Sequence, residues 1–256
     1  MGRVVANGLT IGYDEHGEGP PLVMLHGATS AAREDWAAQV PLLAHSFHVI
    51  LPDARGHATT PWDVASESAG WSSERLVDDL AAFLDALDLG VVHLAGFSMG
   101  AHTALGFAAR APGRIASLVL AGISLEPEPR GSVARRLMDP ERIDRTDPVW
   151  AARLAARHDP FQGKDAWRRL LPAIAAEISR ARTVTPREIH AVSAPALVVV
   201  GDRDPFVPVD HALAVARLLR RGSLFVVPGA PHEAMVRRPA LVNEALRGFY
   251  RDALSG

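Results

Sequence analysis

Six short apolar runs recur along the chain, most with room for a helix between them: PLVMLHG at 21–27, FHVILPD at 47–53, VVHLAGF at 91–97, IASLVLAG at 115–122, ALVVVGD at 196–202 and SLFVVPG at 223–229. Continuous runs of this length, rich in β-branched residues, suit strands buried on both faces, and a mostly parallel sheet flanked by helices is the arrangement that buries them. Residues 4–17, VVANGLTIGYDEHG, divide around Asn7-Gly8. That dipeptide accepts the positive φ values of a type I′ turn, so an antiparallel hairpin at the sheet edge is predicted. Helical periodicity is clearest in SSERLVDDLAAFLDALDL at 72–89, where Leu76, Leu80, Phe83, Leu84 and Leu87 share one face. Ser72 or Ser73 stands where an N-cap belongs.

The rhythm of strands breaks between 124 and 187. There the chain is polar and helix-prone, with five prolines from Pro127 to Pro160. The predicted organisation is an α/β core of residues 1–123 and 188–256, interrupted by a helical insertion at 124–187. Leu170, Leu171, Ile174 and Ile178 are spaced for one helix face, and Trp150 and Trp167 give the insertion bulk to pack against something. Residues 126–187 carry thirteen basic side chains against nine acidic ones, whereas the whole chain is at −2. One expectation is that these arginines lie on solvated helix faces and pair with nearby acids. The alternative is that one or two line the inner face of the insertion and attract a substrate bearing a carboxylate.

At 256 residues and 48% hydrophobic, the chain can cover a large sheet on both faces, so one domain with an insertion is expected. The near-neutral balance leaves no basic excess to recruit nucleic acid or an anionic membrane, and a small-molecule partner is expected instead. The absence of cysteine removes disulfides, thiolate nucleophiles and cysteine-ligated metals. Residues 1–17 hold no apolar core of signal-peptide length, and no apolar run approaches the ~18 residues of a membrane span. A cytoplasmic location is the resulting expectation. The histidines lack tight ligand spacing such as H-E-x-x-H, so neither metal nor cofactor is expected.

Candidate chemistry centres on GFSMG at 96–100, which places Ser98 between a predicted strand and a predicted helix. A sharp turn there forces the serine into a strained conformation and its hydroxyl out over the carboxyl end of the sheet. Gly96 and Gly100, lacking Cβ atoms, let strand and helix approach that closely. A serine hydroxyl is a weak nucleophile and needs a base, itself oriented by a third group. Of eleven histidines, His232 follows the last apolar run and can reach the serine from its loop. His93 lies within a strand run and His190 in a polar stretch, both structural by expectation. His26 and His57 sit just past strands, positions suited to loop-shaping hydrogen bonds. GDRDPFVP at 201–208 offers two carboxylates. Asp202 is placed to fold back on the N–H groups of its own turn, and Asp204 to reach over the sheet edge.

With MLHG at 24–27, PDARGH at 52–57, GFSMG, GDRDPFVP and PGAPHEAMVRRP at 228–239 in this order, the chain resembles the α/β-hydrolase superfamily in its serine-nucleophile form with an inserted helical cap. The resemblance implies a catalytic triad of Ser98, Asp204 and His232, and an oxyanion hole made by the backbone N–H groups of Ala28 and Met99. It makes 124–187 a lid over the substrate, with Trp150 and Trp167 as candidate contacts. The implied activity is hydrolysis of an ester, lactone or thioester through an acyl-enzyme. Carbon–carbon bond hydrolysis and cofactor-free perhydrolase or haloperoxidase-type chemistry use the same residues, and a small-molecule sensor on the same fold is the reading from another class. Ala58 stands where relatives commonly carry glycine, so the loop after Asp53 is expected to follow another path.

Overall fold

The computed structural model describes residues 1–62, 71–180 and 184–255. Arg182, one of the thirteen basic residues counted above, lies outside them, as does the side chain of Arg180. The described residues hold eight strands: β1 (Gly2–Ala6), β2 (Leu9–His16), β3 (Pro21–Leu25), β4 (His48–Pro52), β5 (Val92–Phe97), β6 (Ile115–Ala121), β7 (Ala196–Gly201) and β8 (Gly222–Val227). They form one sheet in the order β1-β2-β4-β3-β5-β6-β7-β8. β1 and β2 pair antiparallel, β2 lies antiparallel to β4, and every other pairing is parallel. Each of the six apolar runs is a strand. The edge hairpin turns at Asn7 and Gly8, both at positive φ (49° and 73°), with Ala6 opposite Leu9.

Between β3 and β4 lie α1 (Ala32–Asp35) and α2 (Val40–Leu43); α3 (Ser73–Ala86) precedes β5 and α4 (Met99–Arg110) follows it. After β6 come α5 (Arg130–Leu137), α6 (Pro140–Thr146), α7 (Pro148–Gln162), α8 (Ala166–Arg180) and α9 (Pro186–His190); α10 (Val209–Leu218) joins β7 to β8, and α11 (Ala234–Arg237) and α12 (Pro239–Ser255) close the chain. Ser72 caps α3, its side chain accepting the Arg75 N–H.

Two apolar layers sandwich the sheet. One packs α3, α4, α9 and α10 against β-strand residues such as Val23, Leu94 and Val198, and the other packs Trp36, Leu43, Val242 and Leu246 against Leu22, Met24 and Val199. Alternate residues of β3 therefore serve opposite layers, as a strand buried on both faces requires. A third cluster joins α5–α8 to the core above the carboxyl ends of the strands: Leu154, Trp167, Leu170, Leu171 and Ile174 meet Ala28, Trp71, Leu76 and Met99. The residues spaced for one helix face in the sequence are the ones that face the core here. α9 differs from its neighbours in the segment: Ile189 is fully buried in the first layer, and a capping box of Thr185 and Glu188 starts the helix.

Candidate active site

Strand β5 runs into α4 through Ser98, whose backbone sits at φ 51°, ψ −112°. Positive φ in a residue with a side chain is strained, and the surrounding contacts hold it there. A Cβ on Gly96 would lie 2.2 Å from the Gly100 carbonyl oxygen, and one on Gly100 would lie 2.6 Å from that of Leu25. Neither position therefore tolerates a side chain. Ser98 N–H donates to the Ala121 carbonyl (2.8 Å) and Gly100 N–H to that of His26 (3.0 Å), tying the elbow to the strands on either side.

The loop after β8 brings His232 to this elbow. Ser98 Oγ lies 2.9 Å from His232 Nε2, and His232 Nδ1 lies 2.7 Å from Asp204 Oδ2. The Asp204 side chain is fully buried, and its other oxygen accepts the N–H groups of Phe206 (2.8 Å) and Val207 (3.0 Å). Those bonds fix the carboxylate with one face free for the imidazole. Asp202 behaves differently: it is exposed, and Oδ1 accepts the Ala230 N–H (3.2 Å). It ties together the two loops that carry Asp204 and His232, where a bond within its own turn was expected. The His232 ring is held between Phe97 and Phe206, with ring centroids 5.0 and 4.5 Å away.

Ala28 follows β3 and Met99 opens α4. Neither N–H donates to a backbone acceptor among the described residues, and both residues line the cavity that contains Ser98. The loop carrying Ala28 is tightly held. Buried Asp35 accepts the Gly27 N–H (2.8 Å), and burial pushes its carboxyl up to about 6. Arg157 of α7 pairs with Glu34 and donates to the Thr29 carbonyl.

His26 and His57 shape loops. His26 donates from Nδ1 to the Gly27 carbonyl and accepts the Ala54 N–H at Nε2. His57 has a carbonyl oxygen 3.0 Å from each ring nitrogen, that of Arg55 at Nδ1 and that of Ala28 at Nε2, and its single N–H donates to one of them. Burial lowers both rings to about 4, so they are neutral near pH 7. His93 meets Ser117 Oγ inside the sheet, and His190 is exposed at the end of α9.

Ala58 takes φ 36°, close to what a glycine would supply. Its N–H donates to Nδ1 of the buried His158, while Gln162 Nε2 donates to the Ala58 and Thr60 carbonyls. Two side chains from α7 thus clamp the loop that departs from the common pattern.

The cavity above Ser98 measures ≈ 1060 Å³ and is walled by core residues and by α5–α8. Trp150 lines it. Trp167, the other aromatic candidate, is corrected to a packing residue: it is 1% exposed, sits in the cluster between α8 and the core, and is absent from the cavity wall. Gly122 was not singled out in the sequence, yet a Cβ there would meet His232 Cε1 at 2.8 Å. A glycine directly after a strand run was the available signal. His102, also on the wall, gave no local signal, whereas Arg130 is one of the thirteen basic residues of the insertion, for which a place on the inner face was the alternative expectation.

A sequence model described as the alpha/beta hydrolase family matches residues 22–245. The chain is 30% identical over 268 residues to a 2-hydroxy-6-oxononadienedioate/2-hydroxy-6-oxononatrienedioate hydrolase of Paraburkholderia xenovorans, covering 93% of this chain and 89% of that one. It is 29% identical over 271 residues to a 2-hydroxy-6-oxo-2,4-heptadienoate hydrolase of Pseudomonas putida, covering 98% and 94%. Among solved structures, a thermophilic esterase from Thermogutta terrifontis superposes with a TM-score of 0.77 at 26% identity over 98% of each chain. With the sheet order, the strained serine elbow and a family match across most of its length, the chain belongs to the alpha/beta hydrolase family.

Proposed function

We propose that the protein is a cofactor-independent serine hydrolase that cleaves a small carboxylic ester, lactone or thioester through an acyl-enzyme on Ser98. One observation carries the reading: an unbroken relay from Asp204 through both ring nitrogens of His232 to Ser98 Oγ, at 2.7 and 2.9 Å. In this reading Ser98 Oγ attacks the carbonyl carbon as His232 Nε2 takes its proton. Asp204 holds the Nδ1–H tautomer and offsets the imidazolium charge. The N–H groups of Ala28 and Met99 receive the developing oxyanion, the latter aided by the positive end of α4. His232 then protonates the leaving group, and a water activated by the same ring releases the acid. Helices α5–α8 act as the cap that shapes the substrate cavity and keeps bulk water from it.

A second reading, carbon–carbon bond hydrolysis, is favoured by the two curated relatives, whose names are those of 2-hydroxy-6-oxo-dienoate-type hydrolases matched over nearly the whole chain. In this reading the 2-hydroxy-dienoate first tautomerises to its 2-oxo-3-enoate form, and Ser98 attacks the 6-oxo carbon. The C5–C6 bond breaks, and the carbanion leaving at C5, delocalised into the enone, takes its proton from His232 before water releases the acyl group from Ser98. The test is a rate comparison across short acyl esters, a lactone, a thioester and a 2-hydroxy-6-oxo-dienoate, with fluorophosphonate labelling of the nucleophile. Stoichiometric labelling of the wild type, and none of Ser98→Ala, is the expected result. A kcat/KM at least tenfold higher for the dienoate selects the second reading. No labelling and no turnover defeats both and leaves a ligand-binding protein.

A further inference from the structure

Most insertion arginines with a visible partner are paired with acids. Arg135 meets Glu128, Arg168 meets Asp144 and Asp165, and Arg157 meets Glu34. Arg130, at the start of α5, is different. It is only 6% exposed, and among the described residues it has no carboxylate partner. Nη1 donates to the His102 ring, while Nε and Nη2 are buried with no acceptor. Burying a guanidinium without a counter-charge is costly, so an unpaired one needs a reason.

Its surroundings supply the reason. Arg130 and His102 lie on the wall of the cavity that holds Ser98 and His232. His102 is one turn along α4 from the nucleophile, its N–H bonded to the Ser98 carbonyl. Burial first, and then the charge of Arg130, keep the His102 ring neutral, so it accepts from the guanidinium and does not compete for an anion. Several acids on the same wall are engaged already: Glu34 by Arg157, Asp35 by Gly27 N–H, Asp147 by Trp150 N–H and Glu177 by Ser73 N–H. The two unused donors, Nε and Nη2, share one edge of the guanidinium, and that edge matches the two oxygens of a carboxylate. Desolvation lowers Arg130 only to about 10, so it stays charged at neutral pH.

We propose that Arg130 is the specificity residue of this cavity, docking a free carboxylate on the substrate while Ser98 attacks a carbonyl elsewhere in the same molecule. The inference rests on Ser98 being the nucleophile. His102 lies four positions along the chain from Ser98, a rise of about 6 Å. The substrate class is therefore an acyl compound whose second, ionised carboxyl lies some four to six bonds from the reactive carbonyl, such as a half-ester of a C5–C7 dicarboxylic acid. The flexible arginine side chain has only to adjust within the wall to meet it.

The experiment compares mono-p-nitrophenyl adipate with its methyl ester, p-nitrophenyl methyl adipate, in the wild type, Arg130→Met and Arg130→Lys. Both are measured at low and high salt, with fluorophosphonate labelling to show that each variant is folded. The readout is the ratio of kcat/KM for the anionic over the neutral ester. A charge-assisted contact predicts a wild-type ratio of about 10- to 100-fold, a fall toward one in Arg130→Met, and a part of the preference kept in Arg130→Lys. Because the contact is buried, the ratio should change little with salt. A wild-type ratio near one, or an undiminished ratio in Arg130→Met, overturns the proposal. A ratio that collapses with salt overturns it too, in favour of diffuse attraction by surface arginines. Calorimetric binding of monomethyl adipate to Ser98→Ala, lost in the Ser98→Ala, Arg130→Met double variant, supports the anion site independently of turnover. If the neutral ester turns over but monomethyl adipate binds to neither variant, the anion site fails and the hydrolase reading stands. If no ester turns over and Ser98 is not labelled, the hydrolase reading fails while the binding arm still decides the anion site.

Discussion

Replacing Gly122 by alanine tests whether the position of His232 governs the rate. Gly122 follows β6 at φ 64°, and a methyl group there would lie 2.8 Å from His232 Cε1, 3.2 Å from Nδ1 and 3.4 Å from Phe97. Ordinary carbon contacts need about 3.5–4.0 Å. The imidazole must therefore retreat by roughly 0.7–1.2 Å, lengthening its 2.9 Å contact with Ser98 Oγ. A misplacement of about 1 Å costs on the order of 10² in rate when the group acts in the transition state. The left-handed backbone adds about 1–2 kcal/mol of destabilisation, which lowers Tm by roughly 2–8 °C for a chain of this size. Strain alone is separated out by Gly8→Ala, where φ is 73° and nothing lies within 4 Å of the added carbon. Steady-state hydrolysis of an activated ester, with thermal melting of each variant, is the assay. Gly122→Ala should lose 10- to 100-fold in kcat and Gly8→Ala less than twofold, with similar Tm losses. Equal kinetic behaviour in the two variants would refute the reasoning.

Asp204→Asn should lower kcat by a factor of about 10² to 10⁴, since an amide can hold the wrong imidazole tautomer and cannot offset its charge; Asp202→Asn should cost less than about fivefold, and a reversed order would exchange their roles. Stability should fall as the pH drops below neutrality, because His26 and His57 (about 4) and His158 (about 2) are held neutral by burial while the unfolded chain takes up their protons near pH 6.5. Their contribution is present above about 6.5 and is lost as pH falls toward 4. Asp35, raised to about 6, works in the opposite sense over much of that range. Counting His102, whose ring burial also holds neutral, four protons bound by the unfolded state against one by the folded state give a net loss on the order of 4 kcal/mol per pH unit near pH 5. Denaturant titrations of the wild type and His158→Asn between pH 7 and 4.5 should show a shallower slope in the variant; equal slopes would mean that His158 is not buried neutral.

The architecture was legible because it rests on local pattern. A strand buried on both faces must be a continuous apolar run, and Val23 and Leu94 in one layer with Met24 and Val199 in the other show why no alternation was available in β3, β5 or β7. Asn7-Gly8 and the Ser72 cap are equally local, each set by the dihedral angles and hydrogen bonds of a few neighbouring residues. Ser98 was legible through the two glycines that its turn demands, and Asp204 and His232 through their places just beyond strand ends. Trp167 shows the limit. Its size marked it as a contact surface, but sequence spacing does not say whether a helix turns an aromatic toward a cavity or toward the core, and here it faces the core.

What was illegible lies where two distant segments meet. Ala58 and His158 are a hundred residues apart, as are Trp62 and Gln162, and each pair closes a hydrogen bond that fastens α7 over the loop after β4. Asp35 draws its meaning from the Gly27 N–H, and Arg157 from Glu34 and Thr29 across more than 120 residues. All of these contacts bear on one short stretch, Gly27 to Thr29, or on the loop beside it that His57 links to the Ala28 carbonyl. The helices that enclose the cavity therefore also hold the backbone on which the oxyanion contact would depend. Loosening α7 should disturb transition-state stabilisation along with substrate binding, because the two are fastened by the same side chains. Arg130 reaches the cavity from the opposite side through α5, with no such fastening to the Ala28 loop among its bonds. In the proposed reaction the two sides of α5–α7 therefore have different duties, one fastening the loop that carries Ala28 and the other presenting Arg130 to the cavity.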